Sequence, residues 1–208
     1  MGVAMGQRHP EVLERIRDAA SLAAREFIDR HLFGCSPWAF RASPAEYDDF
    51  RGELAHRLSV DAAEITLVGS GRLGFSLNPH HLLSAFGAAS DLDVVIVSSA
   101  TFDEAWTELI EKAADIALAS EEERRRLKKV KENFFLGFLR PDHLPLTTKL
   151  ASDWFPKLAS RFESQVARRH EVKAWLFKSE LHARVLYSDH VSRVQSDIKR
   201  MVSFAESE

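Results

Sequence analysis

An α+β domain is what the sequence predicts. Three short apolar runs with strand character, near residues 64–68, 92–98 and 171–179, stand among longer stretches whose apolar residues recur at helical spacing. At 208 residues and 45% hydrophobic, the chain is long and apolar enough to bury a real core. It has no internal repeat and no low-complexity linker, so one domain over 1–208 is expected. Within it, 1–60 reads as an N-terminal helical extension, 61–178 as the central core, and 179–208 as a C-terminal helix.

Each element has its own signal. Residues 10–33 read as one long amphipathic helix, with Val12, Ile16, Ala19, Ala23, Phe27 and Leu32 near one face. The turn-rich segment 33–44 (FGCSPWAFRASP) breaks it. Ser43 as N-cap, Pro44 in the first turn and Glu46 three past the cap then open a helix to about Leu58. The first strand follows, then a short helix from Ser70. Asn78, Pro79 and Gly87 mark an inserted loop before the second strand. Thr101 and Glu104 form a second capping box, for a helix with an apolar stripe of Phe102, Ala105, Trp106, Leu109 and Ile110. Residues 120–135 (SEEERRRLKKVKENFF) read as a solvated helix, its acids N-terminal to its bases as the macrodipole favours. A Pro-punctuated loop at 137–149 leads toward a helix containing Trp154 and Phe155. After the third strand, a terminal helix over 179–201 turns Leu181, Val185, Val191, Val194 and Ile198 inward.

Composition narrows the classes. Cys35 is the only cysteine, so there is no internal disulfide and a reducing, cytoplasmic setting is expected. No apolar run approaches the ~20 residues of a membrane span, and the first residues lack the apolar core of a secretory signal. A formal net charge of -3 gives no global attraction to nucleic acid. His143 has no second His or Cys at a ligand spacing, which argues against zinc.

The chemistry concentrates in residues 65–97, ITLVGSGRLGFSLNPHHLLSAFGAASDLDVVIV. The first strand delivers Gly69-Ser70 into a helix start, where unpaired N–H groups and a small residue can cradle phosphate oxygens. Ser70 adds a hydroxyl, and Arg72 adds a cation for a phosphate or carboxylate. Asp91 and Asp93, two apart on a strand, put both carboxylates on one face. Two such acids suit Mg2+ (Mn2+ is an alternative), which takes a few carboxylates together with substrate phosphates. His80 and His81 fall inside the insertion.

In this order, Gly69, Ser70, Asp91 and Asp93 resemble the signature of the DNA polymerase β-like nucleotidyltransferase superfamily, in particular its small stand-alone bacterial members. The likeness covers roughly residues 60–100, and the gap between turn and acids is longer than usual in that superfamily. The resemblance implies a mixed β-sheet packed with helices. It also implies metal on Asp91 and Asp93, an NTP such as ATP held by Gly69, Ser70 and Arg72, and transfer of a nucleoside monophosphate to a hydroxyl. The acceptor stays open between RNA, protein, another nucleotide and a small molecule. Superfamily enzymes carry a third acid on a later strand, for which Glu171 is the best match, although Lys173 occupies the more natural mid-strand position. Small bacterial members often serve in toxin–antitoxin or antiphage modules, with a protein partner or homo-oligomer. Two other readings remain: a catalytically impaired module that binds nucleotide, nucleic acid or a protein partner, and RNA binding through the basic residues of 124–131.

Overall fold

A computed structural model of the protein describes residues 8–118 and 120–205. Four strands form one sheet: β1 (Ile65–Leu67), β2 (Leu92–Val97), β3 (Phe138–Leu139) and β4 (Val172–Phe177), in the order β1-β2-β4-β3. β2 and β4 are parallel and central, and β1 and β3 flank them antiparallel, so the sheet is mixed. The short strand β3 lies in the loop expected at 137–149, where two residues give periodicity nothing to display.

The central strands are apolar on both faces, as strands covered on both sides must be. Leu92, Val94, Ile96, Ala174 and Leu176 face one core. It is closed by Phe50 and Leu54 of α3 (Pro44–Leu58), Phe102 and Leu109 of α5 (Ser99–Glu111), and Leu150 and Trp154 of α8 (Lys149–Ala159). Val95 and Phe177 face a second core, built with α1 (Pro10–Ser21) and the 26-residue α9 (Glu180–Ala205). The N-terminal helices are therefore part of the packing, with Val12, Ile16 and Ala19 of α1 set against Val191, Val194 and Ile198 of α9 in one cluster.

Several local expectations are corrected. Residues 10–33 do not form one helix. Leu22 and Ala23 are extended, the chain restarts as α2 (Ala24–Phe27) and it ends in a π-turn over Ile28–Leu32; Ala23 is exposed. Ser43 makes no side-chain cap, and the Glu46 carboxylate bonds Ser164 and the backbone of Val166 in place of the capping box. Helix α5 begins two residues before Thr101, with Ser98 at its N-cap, and Ile110 is exposed. Leu181 and Val185 are also exposed, and the inward face of α9 runs instead through Ala183, Val191, Val194 and Ile198. The charged segment forms α7 (Glu121–Phe135), capped by Ser120 as its acid-first order favours. No helix among the described residues is long and apolar enough to cross a membrane.

Candidate functional site

Strand β1 runs into Val68, whose N–H donates to the carbonyl of Asp93 (2.8 Å). That bond fixes the next residue, Gly69, against β2. Gly69 has φ +63, and a Cβ built there would stand 3.0 Å from Asp93 Oδ2. Only glycine meets both demands without strain. The glycine turn therefore abuts the Asp93 carboxylate. The helix the turn opens, α4 (Gly69–Leu73), is five residues long and closes at Gly74 in the left-handed region. Its first N–H groups lack intrahelical acceptors, but so short a helix adds little dipole.

The insertion after α4 folds back on itself. Phe75 bridges Ala85, and the Phe86 N–H donates to the Gly74 carbonyl (3.0 Å). His170 packs at a tilt against Phe86 (4.9 Å between ring centroids) and bonds the Ser90 carbonyl (2.6 Å), tying the loop to the approach of β4. His80 and His81 are exposed on a single 3-10 turn.

Asp91 and Asp93 lie on the face expected of alternate strand positions. The parallel register sets Lys173 opposite Asp93, and the Leu92 N–H donates to the Glu171 carbonyl (2.8 Å). The Lys173 ammonium donates to Asp91 Oδ2 (2.6 Å) and stands 3.4 Å from Glu171 Oε2. The bond to Asp91 raises the pKa of Lys173, which stays charged. Burial and the neighbouring Asp91 charge push the Asp93 carboxyl up to about 6. Lys173 and Arg140 only partly offset this.

Sequence reasoning does not single out two residues near these acids, Arg140 and Tyr187. Arg140 follows β3, lies over the Trp175 ring (4.6 Å) and bonds both oxygens of Asp142 (3.0 and 2.6 Å). Burial opposes ionisation of Asp142, but the two bonds to Arg140 hold its pKa below the usual carboxylate value. Tyr187 on α9 has its phenol pKa raised by burial and by the Asp93 charge. Trp175 continues the Glu171–Lys173 face of β4. Strand alternation already puts Trp175 on that face in the sequence; Arg140 and Tyr187 come from distant segments and carry no local signal.

Arg72 is placed elsewhere. Its guanidinium is buried beside Cys35 and Tyr47, burial lowers its pKa, and its Nε has no hydrogen-bond partner among the described residues. Its carbonyl accepts from Arg15 (2.7 Å), which anchors α4 on α1. The structure thus brings together Gly69, Asp91, Asp93 and, through Lys173, Glu171, while Arg72 points into the packing behind the turn. Glu171 remains 68% exposed on its side chain.

The donors present suit one divalent cation on Asp91 and Asp93. Burial first and the Asp91 charge second raise the Asp93 pKa, and a bound cation beside the carboxylate would offset both. Two carboxylates are a usual protein share of a Mg2+ site completed by phosphate oxygens. Among the described residues, no group of three His, Cys, Asp or Glu side chains is arranged to hold a metal ion.

Fold and site together define an α+β protein with a four-stranded mixed sheet and an acidic pair set beside a glycine turn. Comparison of the chain with protein-family models, with curated proteins and with solved structures gives no match.

Proposed function

We propose that the protein is a Mg2+-dependent nucleotidyltransferase that moves a nucleoside monophosphate from an NTP to a hydroxyl acceptor. One observation carries the reading: the Asp93 carboxylate abuts the Gly69 turn, which would set a metal-holding acidic pair beside the backbone N–H groups of a helix start. Asp91 and Asp93 would hold the ion, which supplies charge neutralisation for the triphosphate. The N–H groups of the Gly69-Ser70 turn and the Ser70 hydroxyl would hold phosphate oxygens. The acceptor oxygen bonds to the α-phosphorus as the bond to pyrophosphate breaks, and Glu171 would take the hydroxyl proton. Arg140, stacked and ion-paired near Asp93, adds positive charge near the acids. The resemblance to small bacterial members extends the proposal to a toxin–antitoxin or antiphage module.

A second reading is favoured by Lys173. It stands opposite Asp93, where an acid would serve two-ion chemistry, and its ammonium already compensates Asp91. A domain of that kind binds metal and nucleotide without transferring anything. Incubation with each α-labelled NTP, Mg2+ or Mn2+, and RNA or protein acceptors separates the two. Label transfer abolished by Asp91→Ala/Asp93→Ala supports the enzyme. Mg2+-dependent NTP binding without transfer supports the binding domain, and transfer that survives the double substitution removes the site assignment.

A further inference from the structure

Strand β4 has an edge that its neighbour fails to cover. β3 pairs only with Leu176 and Phe177, through Leu139 and Phe138. The Lys178 N–H donates to the Gly137 carbonyl (3.0 Å), so residues 137 and 178 form a hydrogen-bonded pair and Leu139 and Leu176 form the next. One further step sets Pro141 opposite Ala174. Proline has no N–H to donate, and Pro141 instead opens a 3-10 turn over Pro141–His143. The ladder stops there for a chemical reason.

The orientation of the Ala174 backbone follows from its other neighbour. The carbonyls of Glu171 and Phe177 accept from Leu92 and Ser98 on the β2 side. Alternation turns the N–H and carbonyl of Ala174 to the opposite edge. A pocket of about 100 Å³ opens there, walled by Pro141, Phe155, Leu158 and Ala159, with Arg140 and Trp175 at one side. Ala174 is only 4% exposed, and polar backbone groups so deeply placed call for a partner.

We propose that this pocket is a nucleobase subsite, read by the Ala174 N–H and carbonyl. The inference rests on the metal–nucleotide reading above and names where the base of that nucleotide lies. Lys173 lines the pocket and bonds Asp91, so phosphates at the carboxylates and a base at the edge flank one residue. Every nucleobase has an edge with adjacent donor and acceptor, the complement of one residue's N–H and carbonyl. Apolar walls and the nearby Arg140–Trp175 stack suit a flat ring. The volume lies below the ~300–1,000 Å³ of pockets that enclose a whole drug-sized ligand. It admits one ring system and excludes an extended peptide pairing with the edge, for which only residues 172–174 are open.

The test compares ATP, GTP, CTP and UTP with inorganic tripolyphosphate, all with Mg2+, by calorimetric titration. At least one NTP is expected to bind about tenfold or more tightly than tripolyphosphate. Ala159→Trp, an exposed position at the pocket rim, and Phe155→Ala, at a side chain 53% exposed, are each expected to shrink that ratio toward one. Tripolyphosphate affinity stays as in the parent, and circular dichroism verifies folding. Equal binding of NTPs and tripolyphosphate, or a ratio unchanged in both variants, overturns the base subsite and leaves the carboxylate reading intact. Failure of NTPs and tripolyphosphate alike to bind overturns both.

Discussion

Lys173 faces Asp93 across the β2–β4 register yet commits its charge to Asp91, 2.6 Å away. The ammonium therefore acts as a resident cation for Asp91, while burial first and the Asp91 charge second keep the Asp93 pKa raised and Lys173 only partly offsets them. Replacing Lys173 with Met takes the local formal charge of Asp91, Asp93 and Lys173 from -1 to -2. Mg2+ affinity without nucleotide should rise about tenfold, because the ion no longer competes with a fixed positive charge. Folding stability should change by no more than ~1 kcal/mol, since the Lys173–Asp91 pair is more than a third exposed on both sides. Calorimetric Mg2+ titration and thermal denaturation read the two quantities. Unchanged or weaker Mg2+ binding would remove Lys173 as the charge competitor.

The cost of the acidic pair should be visible in the metal-free protein. The Asp93 pKa is raised from 3.8 to about 6 in the folded state. The folded chain thus prefers the protonated carboxyl, and this contribution is present below the unfolded value and lost as pH rises through 6. At pH 7 the ionised group is a net burden. Asp93→Asn should raise Tm by about 2–4 °C at pH 7 without metal, the shift expected of ~1 kcal/mol in a chain of this size. The gain should fade as pH drops toward 4. The same variant should lose any thermal shift produced by Mg2+ with an NTP. A lower Tm at pH 7 would mean that the carboxylate is a structural acceptor.

Glu46 carries the opposite sign. Its carboxylate accepts from the Val166 N–H (3.0 Å) and the Ser164 hydroxyl (2.7 Å), pinning α3 to the segment that leads into β4. The Val166 bond, first among its partners, lowers the Glu46 pKa. Stability from this contact is fully present above the ordinary carboxylate value of 4.5 and lost as pH falls through the lowered folded value. Glu46→Ala should cost about 1–3 kcal/mol at pH 7, because it strands two donors, the Ser164 hydroxyl and the Val166 N–H. The deficit should narrow as the solution is acidified below pH 4. Chemical denaturation at pH 7 and pH 3.5 tests this, and a constant deficit would contradict the charge-dependent part.

Legibility followed the length scale of the interactions. Gly69 and the alternating pair Asp91 and Asp93 were readable because a turn and a strand face are set by neighbours within a few residues, and the structure does place Gly69 against Asp93. The mixed sheet was not readable from periodicity: β3 is two residues long and is defined by its partner in β4. Arg72 shows the limit of proximity in sequence. Three residues past the turn, it rotates around α4 into contact with Cys35 and Tyr47, a placement fixed by the packing of α1 and α3. Arg140 and Tyr187 reach the acids from segments ~50 and ~95 residues away, for which local spacing carries no information. Glu46 could have been an N-terminal helix partner, and long-range bonds to Ser164 and Val166 took it instead.

Gly69 joins conformation to chemistry most directly. At φ +63 an alanine costs roughly 1–2 kcal/mol for the left-handed backbone alone, and its methyl would stand 3.0 Å from Asp93 Oδ2. The carboxylate can give way, since it is the end of a side chain, but doing so moves it off the turn. Gly69→Ala should therefore lower stability by about 1–2 kcal/mol and weaken Mg2+-dependent NTP binding by tenfold or more. A control separates the two effects. Gly87 is exposed, lies in the insertion after α4, and a methyl added to it would meet nothing within 4 Å, so Gly87→Ala should leave NTP binding unchanged. Denaturation curves and Mg2+–NTP titrations on both variants decide the matter. If Gly69→Ala loses stability but binds NTP as the parent does, the turn is only a structural corner and the phosphate-holding role of residues 69–70 is wrong.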